Sequence, residues 1–307
     1  MKQSNRTAAE FALHGVVAAC LSPRRAGEPN VDLASLLEMV DFLCTAHVDG
    51  IVLFGSTGEF VQFETADRAR ALSLAVRRSR CPVYANVSHA HLDAALALTD
   101  EAANAGAAGV LLMPPIYFRY DQETVRQYCL DFLKSAGGLL PAYLYNIPQF
   151  ATPIAIETAV ELLGAGFAGI KDSSGDVEYF QRLLDACGSS GASLVTGGEL
   201  LYGRFRNEGA AGVVSGIASA VPELVVAYDR FLCAADEDRV SRLRAWIAEF
   251  IAWFEEFPTP MIIREAAKLR GLSAGDPAAP LGPALTARLD EFRAWFPAWW
   301  RSVHAAL

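Results

Sequence analysis

Phe167-Ala168-Gly169-Ile170-Lys171 runs straight into Asp172-Ser173-Ser174-Gly175, an apolar run ending in a polar turn closed by glycine. The first part reads as a short buried strand and the second as a loop leading into a helix, so the stretch is one βα unit. Lys171 stands at the hinge. Burying an ammonium group is costly, which favours the neutral, nucleophilic amine. The chain has four lysines, and Lys2, Lys134 and Lys268 fall in the N-terminal tail or on helix-like segments, where a solvated charge explains them.

The same alternation of apolar run and amphipathic window continues in both directions from residue 14 onward. Strands are expected at Gly15–Leu21, Gly50–Phe54, Val83–Val87, Gly109–Met113, Ala142–Asn146, Ala168–Lys171, Ser193–Thr196 and Ala211–Ser215. Helical windows lie between them at Leu33–Thr45, Ala66–Arg78, Asp93–Ala105, Glu123–Ser135 and Ala155–Leu163. Alternating βα units imply a parallel sheet, and eight of them favour a closed (β/α)8 TIM barrel over an open sheet. After Ser219 the strand-like runs stop and three further helical windows follow. In the second, Val240, Leu243, Trp246, Ile247, Phe250, Ile251 and Phe254 recur at helical spacing and make an apolar face that needs a partner. A linker, Ser273 to Pro280, precedes the last helix with Trp295, Trp299 and Trp300. The chain therefore divides into a catalytic barrel, residues 1–220, and residues 221–307, which hold the last barrel helix and a C-terminal helical extension. That tail is too short to bury much core alone.

Composition narrows the function. A formal charge of −9, with no basic stripe, disfavours nucleic acid as a partner. No apolar stretch reaches the roughly 18 residues of a membrane span. Residues 1–10 are polar and lack the apolar core of a secretion signal, so a cytoplasmic location is expected. Six scattered cysteines without CxxC spacing read as buried thiols.

Catalytic groups of such a barrel come from the C-terminal ends of the strands. After the second strand, Gly55-Ser56-Thr57-Gly58-Glu59 combines two glycines, two hydroxyls and exposed amides, a nest suited to a carboxylate. The same residues also make an ordinary strand-to-helix turn with a hydroxyl cap. The fifth strand ends Tyr143-Leu144-Tyr145-Asn146-Ile147-Pro148, and alternation puts both tyrosines on one face. If that face looks into the barrel mouth, Tyr145 reaches the lysine of the next strand and can carry a proton. His89 and His91 have no third ligand at readable spacing, and no metal is expected.

Taken together, these three stretches resemble the signatures of the dihydrodipicolinate synthase and N-acetylneuraminate lyase family in type, order and spacing. The resemblance spans nearly the whole chain from about His14. It implies a (β/α)8 barrel with a C-terminal three-helix extension, a homotetramer built as a dimer of dimers, and chemistry on a small 2-oxo acid through a lysine Schiff base, without cofactor. Lys171 would form the imine with a pyruvate-like ketone. Tyr145 would be the general acid/base and Ser56 its hydroxyl relay. Thr57, with the amides of the loop that Gly55 and Gly58 flank, would hold the carboxylate. Gly198, Glu199 and Ser215 would contact the rest of the substrate.

Departures from the family pattern narrow the substrate. Where the synthases carry an arginine for the aldehyde's distal carboxylate, this chain has Phe150. Ile116 stands at the place matched to the family's inter-subunit tyrosine, leaving Tyr117 or Tyr120 for that role, and Leu200 replaces the second acidic residue of the neuraminate lyases. A shorter or less polar 2-oxo acid is therefore expected beside sialic acid. The first reading is an aldolase or lyase that breaks or makes a C–C bond. A dihydrodipicolinate synthase or a 2-oxo-3-deoxy acid dehydratase is the second reading, and a non-catalytic 2-oxo acid binding protein the third.

Overall fold

The computed structural model describes residues 12–25 and 27–307. Eight parallel strands pair in chain order and close, β8 back onto β1. They are β1 Gly15–Ala19, β2 Gly50–Leu53, β3 Val83–Asn86, β4 Gly109–Leu112, β5 Ala142–Asn146, β6 Gly169–Asp172, β7 Ser193–Thr196 and β8 Gly212–Ser215. Every strand residue is buried, because the lumen covers one face and the helices the other. Helices α1 Leu33–Thr45, α2 Thr65–Arg78, α3 Leu92–Ala105, α4 Gln122–Ala136, α5 Ile156–Ala165, α6 Val177–Cys187 and α7 Glu199–Phe205 alternate with the strands. The expected (β/α)8 barrel is present, with strand ends shifted by at most two residues.

The register fixes which side chains share the lumen. Tyr145 of β5 pairs with Lys171 of β6, and Lys171 with Val195 of β7. One turn lower, Tyr84 and Tyr143 cross edge to face at 6.0 Å. A Cβ on Gly109 would lie 3.0 Å from the Tyr143 ring and 3.2 Å from that of Tyr84, so only glycine leaves them room. The chain stoppers this end itself: the Leu13 amide donates to Tyr143 Oη at 3.1 Å, Tyr84 Oη donates to the Ala12 carbonyl at 3.0 Å, and Ser193 Oγ donates to the Leu13 carbonyl.

Four helices follow β8, one more than the three windows read from the sequence: α8 Pro222–Cys233, α9 Glu237–Glu255, α10 Met261–Leu269 and α11 Pro283–His304. The unread one, α10, is short and buries two of its charges, Arg264 and Glu265. The apolar face of α9 has its partner in α11, where Phe250 packs on Phe292, Phe296 and Trp299, and Trp299 Nε1 donates to Glu249 at 2.9 Å. The linker is tied down, its Asp276 amide donating to the Arg24 carbonyl at 2.9 Å. Among the described residues no helix is long and apolar enough to cross a membrane.

Candidate active site

Lys171 projects from β6 into a pocket of about 320 Å³ at the C-terminal end of the strands. It is 3 % exposed, and its Nζ lies 3.9 Å from the centre of the Tyr145 ring. Parallel pairing of adjacent strands causes this contact, since residues side by side in register point the same way. Tyr145 is fully buried, and its hydroxyl shares a 2.9 Å hydrogen bond with Ser56 Oγ from the loop after β2. Amine, phenol ring and hydroxyl thus lie in a row, the amine over the ring face and the phenol hydrogen-bonded to the serine. The phenol sits between a candidate nucleophile and a second hydroxyl, an arrangement able to move protons.

The loop carrying Ser56 and Thr57 is held from behind. A Cβ on Gly58 would come within 3.0 Å of the Cys20 carbonyl and of Ser22 Oγ, so the loop lies flat on the end of β1 only with glycine there. Phe54 and Glu59 take left-handed backbone (φ 58° and 49°) on either side of the turn. Glu59 accepts a hydrogen bond from Arg264 of α10, whose guanidinium is buried and donates also to the Ala274 carbonyl. Burial disfavours the cation and moves its pKa down, and the Glu59 charge opposes that shift. Thr57 lines the pocket beside Gly216, while Gly55 and Gly58 shape the turn without lining it.

Glu199 opens α7, with Gly198 as its cap, and both line the pocket. Burial pushes the Glu199 carboxyl above the usual carboxylate range; hydrogen bonding from Ser215 and the nearby Lys171 charge oppose this. Ser215 itself is fully buried on the outer face of β8 and does not line the pocket; its hydroxyl donates to Glu199 and accepts from the Ala218 amide at 3.0 Å. It reaches a substrate only through Glu199. On the outer face of β5 and β6, Asn146 Nδ2 donates to Asp172 Oδ1 at 2.7 Å, while Asn146 Oδ1 accepts from the Ile154 amide at 3.0 Å. This bond joins the two strands that carry Tyr145 and Lys171. Burial raises the Asp172 pKa against its hydrogen bonds from Ser174 and Asn146.

The outer wall is mostly apolar: Ile147, Phe150, Ile251, Phe254 and Ile263, with Gln149, Thr259 and Glu255 among them. The residues of α9 and α10 carry no sequence signal for this, because they come from 80 or more positions beyond Lys171. Arg119, the obvious cation to stand in at Phe150, is committed to the carbonyls of Pro148 and Ala151 and does not line the pocket. Ile116 forms a bridge with Ala151, whereas Tyr117 is 87 % exposed with φ 82° and Tyr120 is half-buried. The His89 and His91 rings pack edge to face at 4.3 Å, and among the described residues no three metal-ligating side chains converge.

Residues 12–298 match the model of the Dihydrodipicolinate synthetase family. The chain is 26 % identical over 271 residues to a 4-hydroxy-tetrahydrodipicolinate synthase of Methanococcoides burtonii, covering 88 % of this chain and 92 % of that one. It is 32 % identical over 244 residues to a DapA-like lyase of Chloroflexus aurantiacus, covering 75 % and 80 %. The solved 4-hydroxy-tetrahydrodipicolinate synthase of Methylacidiphilum fumariolicum superposes with a TM-score of 0.85 at 26 % identity, over 95 % of this chain and 99 % of that one. A match across so much of the chain, on the same barrel, means that this protein belongs to the dihydrodipicolinate synthetase family.

Proposed function

We propose that Lys171 is the nucleophile, Tyr145 the general acid/base and Ser56 its relay in a carbon–carbon lyase, with Thr57 and the neighbouring amides holding the substrate carboxylate. As a family member the chain is a pyruvate-type aldolase or lyase working through a Schiff base. The observation that carries the assignment is the buried row of Lys171 Nζ, the Tyr145 ring and Ser56 Oγ. The neutral amine adds to the C2 ketone, water leaves, and the protonated imine draws the electrons of the C3–C4 bond into an enamine. Tyr145 takes the C4 hydroxyl proton during cleavage and returns a proton to the enamine carbon. In the reverse direction it protonates the new alkoxide. The imine is itself the electron sink.

The apolar outer wall supports a neutral, weakly polar aldehyde fragment over one with a carboxylate, for which Glu255 would be a like charge and Phe150 no donor. The exposed aromatics Tyr117, Phe118 and Phe150 near the mouth support a contact with a second copy, in a cytoplasmic homotetramer where Tyr117 completes the neighbour's site. Borohydride reduction with pyruvate, followed by peptide mass analysis, tests the nucleophile: a reduced adduct is expected on Lys171. An adduct elsewhere, or none, would sink the assignment.

A further inference from the structure

Two thiols meet far from the pocket. Cys44 lies in the last turn of α1, Cys81 lies on the connection from α2 to β3, and their sulfurs are 3.4 Å apart. These connections lead into the starts of β2 and β3, so the pair sits at the end of the barrel opposite Lys171. The expectation of buried thiols holds for Cys20, Cys129 and Cys187 but not for this pair, which is partly exposed, nor for Cys233, which is exposed. With Thr45, His47, Val48 and Arg80, the two cysteines line a surface hollow that admits a small reagent.

Their surroundings are unequal. Cys44 Sγ accepts from the Arg80 amide at 3.4 Å and lies 3.5 Å from Ser79 Oγ, with the Arg80 side chain on the rim of the hollow. Burial raises the Cys44 pKa, but hydrogen bonding from Ser79, Arg80 and Cys81 outweighs it and the net shift is downward. Burial pushes the Cys81 thiol up to about 12. Cys233 is more accessible, yet its pKa is raised by partial burial and by the Asp229 carboxylate. Thiolate character and exposure together decide reactivity, and they coincide at Cys44.

We propose that Cys44 and Cys81 are an oxidisable dithiol, with Cys44 attacking a small peroxide or disulfide oxidant and Cys81 resolving the product to an intramolecular disulfide. With hydrogen peroxide, the Cys44 thiolate attacks one oxygen, the O–O bond breaks and hydroxide leaves, giving a sulfenic acid. The Cys81 sulfur then attacks Cys44 Sγ, the S–O bond breaks, and the departing hydroxide takes the Cys81 proton to leave as water. Two thiols lose two hydrogens and peroxide becomes two waters. Closure brings the sulfurs from 3.4 Å to a bond of about 2.05 Å, a short movement for two surface connections.

The test uses the full-length, fully reduced protein with stoichiometric hydrogen peroxide. Intact mass should fall by two hydrogens, and peptide mapping should find one cross-link, Cys44 to Cys81. It should form faster than Cys233 is oxidised, because Cys44 has the greater thiolate character and a second thiol beside it. Cys81→Ser removes the resolving thiol, so dimedone should then trap a sulfenic acid on Cys44; Cys44→Ser should abolish both products. Circular dichroism on each variant confirms that it is folded. Oxidation of Cys233 ahead of the pair, no cross-link in the wild type, or a sulfenic acid trapped on Cys81 in the reverse variant at equal rate would each overturn the proposal.

Discussion

Tyr145 and Thr57 face the same pocket but are asked to do different work, and substitution separates them. Tyr145→Phe keeps the ring under Lys171 Nζ and removes only the hydroxyl bonded to Ser56. Turnover should fall ~100-fold to ~10,000-fold, the usual range for a lost general acid/base, with little change in pyruvate affinity. Thr57→Val removes a ground-state contact with the carboxylate and should raise the apparent pyruvate constant with a smaller effect on turnover. Steady-state kinetics on both variants checks the division, and identical behaviour would refute it. At this scale the sequence was informative: an isolated lysine at a strand end, a tyrosine in register beside it and a glycine-flanked pair of hydroxyls are local features. What it could not give is the fate of Ser215, because a hydroxyl directed at a buried carboxylate 16 residues away reads the same as one directed at a substrate.

The βα alternation was legible because each element repeats a local pattern. Helix α10 was not, since its charges find partners only in three dimensions: Arg264 with Glu59, and Arg293 of α11 with Glu265 at 2.6 Å. The Arg264–Glu59 pair joins α10 to the turn that positions Ser56 and Thr57. Removing one member leaves the other charge without its counterion in a dry site, so Glu59→Gln should cost roughly 3–5 kcal/mol. A double variant, Glu59→Met with Arg264→Met, should cost clearly less than the single changes Glu59→Met and Arg264→Met summed, because no charge is then left unpaired. Denaturant unfolding of the four proteins measures this. Additive losses would show that the pair does not act as a unit.

Over the whole molecule, the site is assembled from stretches far apart in the chain, from Ala19 to Ile263. Strands supply the reacting groups, and α9 and α10 supply much of the wall facing the remainder of the substrate. This assembly predicts poor dihydrodipicolinate synthase activity on a family scaffold. The carboxylate of aspartate semialdehyde would meet Phe150 and Glu255, while Arg119 is occupied by carbonyls. Initial rates with pyruvate plus the semialdehyde should be low beside those with neutral aldehydes, and Phe150→Arg should raise the former selectively. Efficient condensation of the semialdehyde by the unaltered protein would contradict this account.

The stopper at the foot of the barrel has a practical consequence. Ala12 and Leu13 are fastened to Tyr84, Tyr143 and Ser193, at the opposite end of the strands from Lys171. The described chain therefore begins, at Ala12, at the blind end of the barrel. Trimming the chain back to Gly15 would draw the cork and expose two buried phenol rings to water.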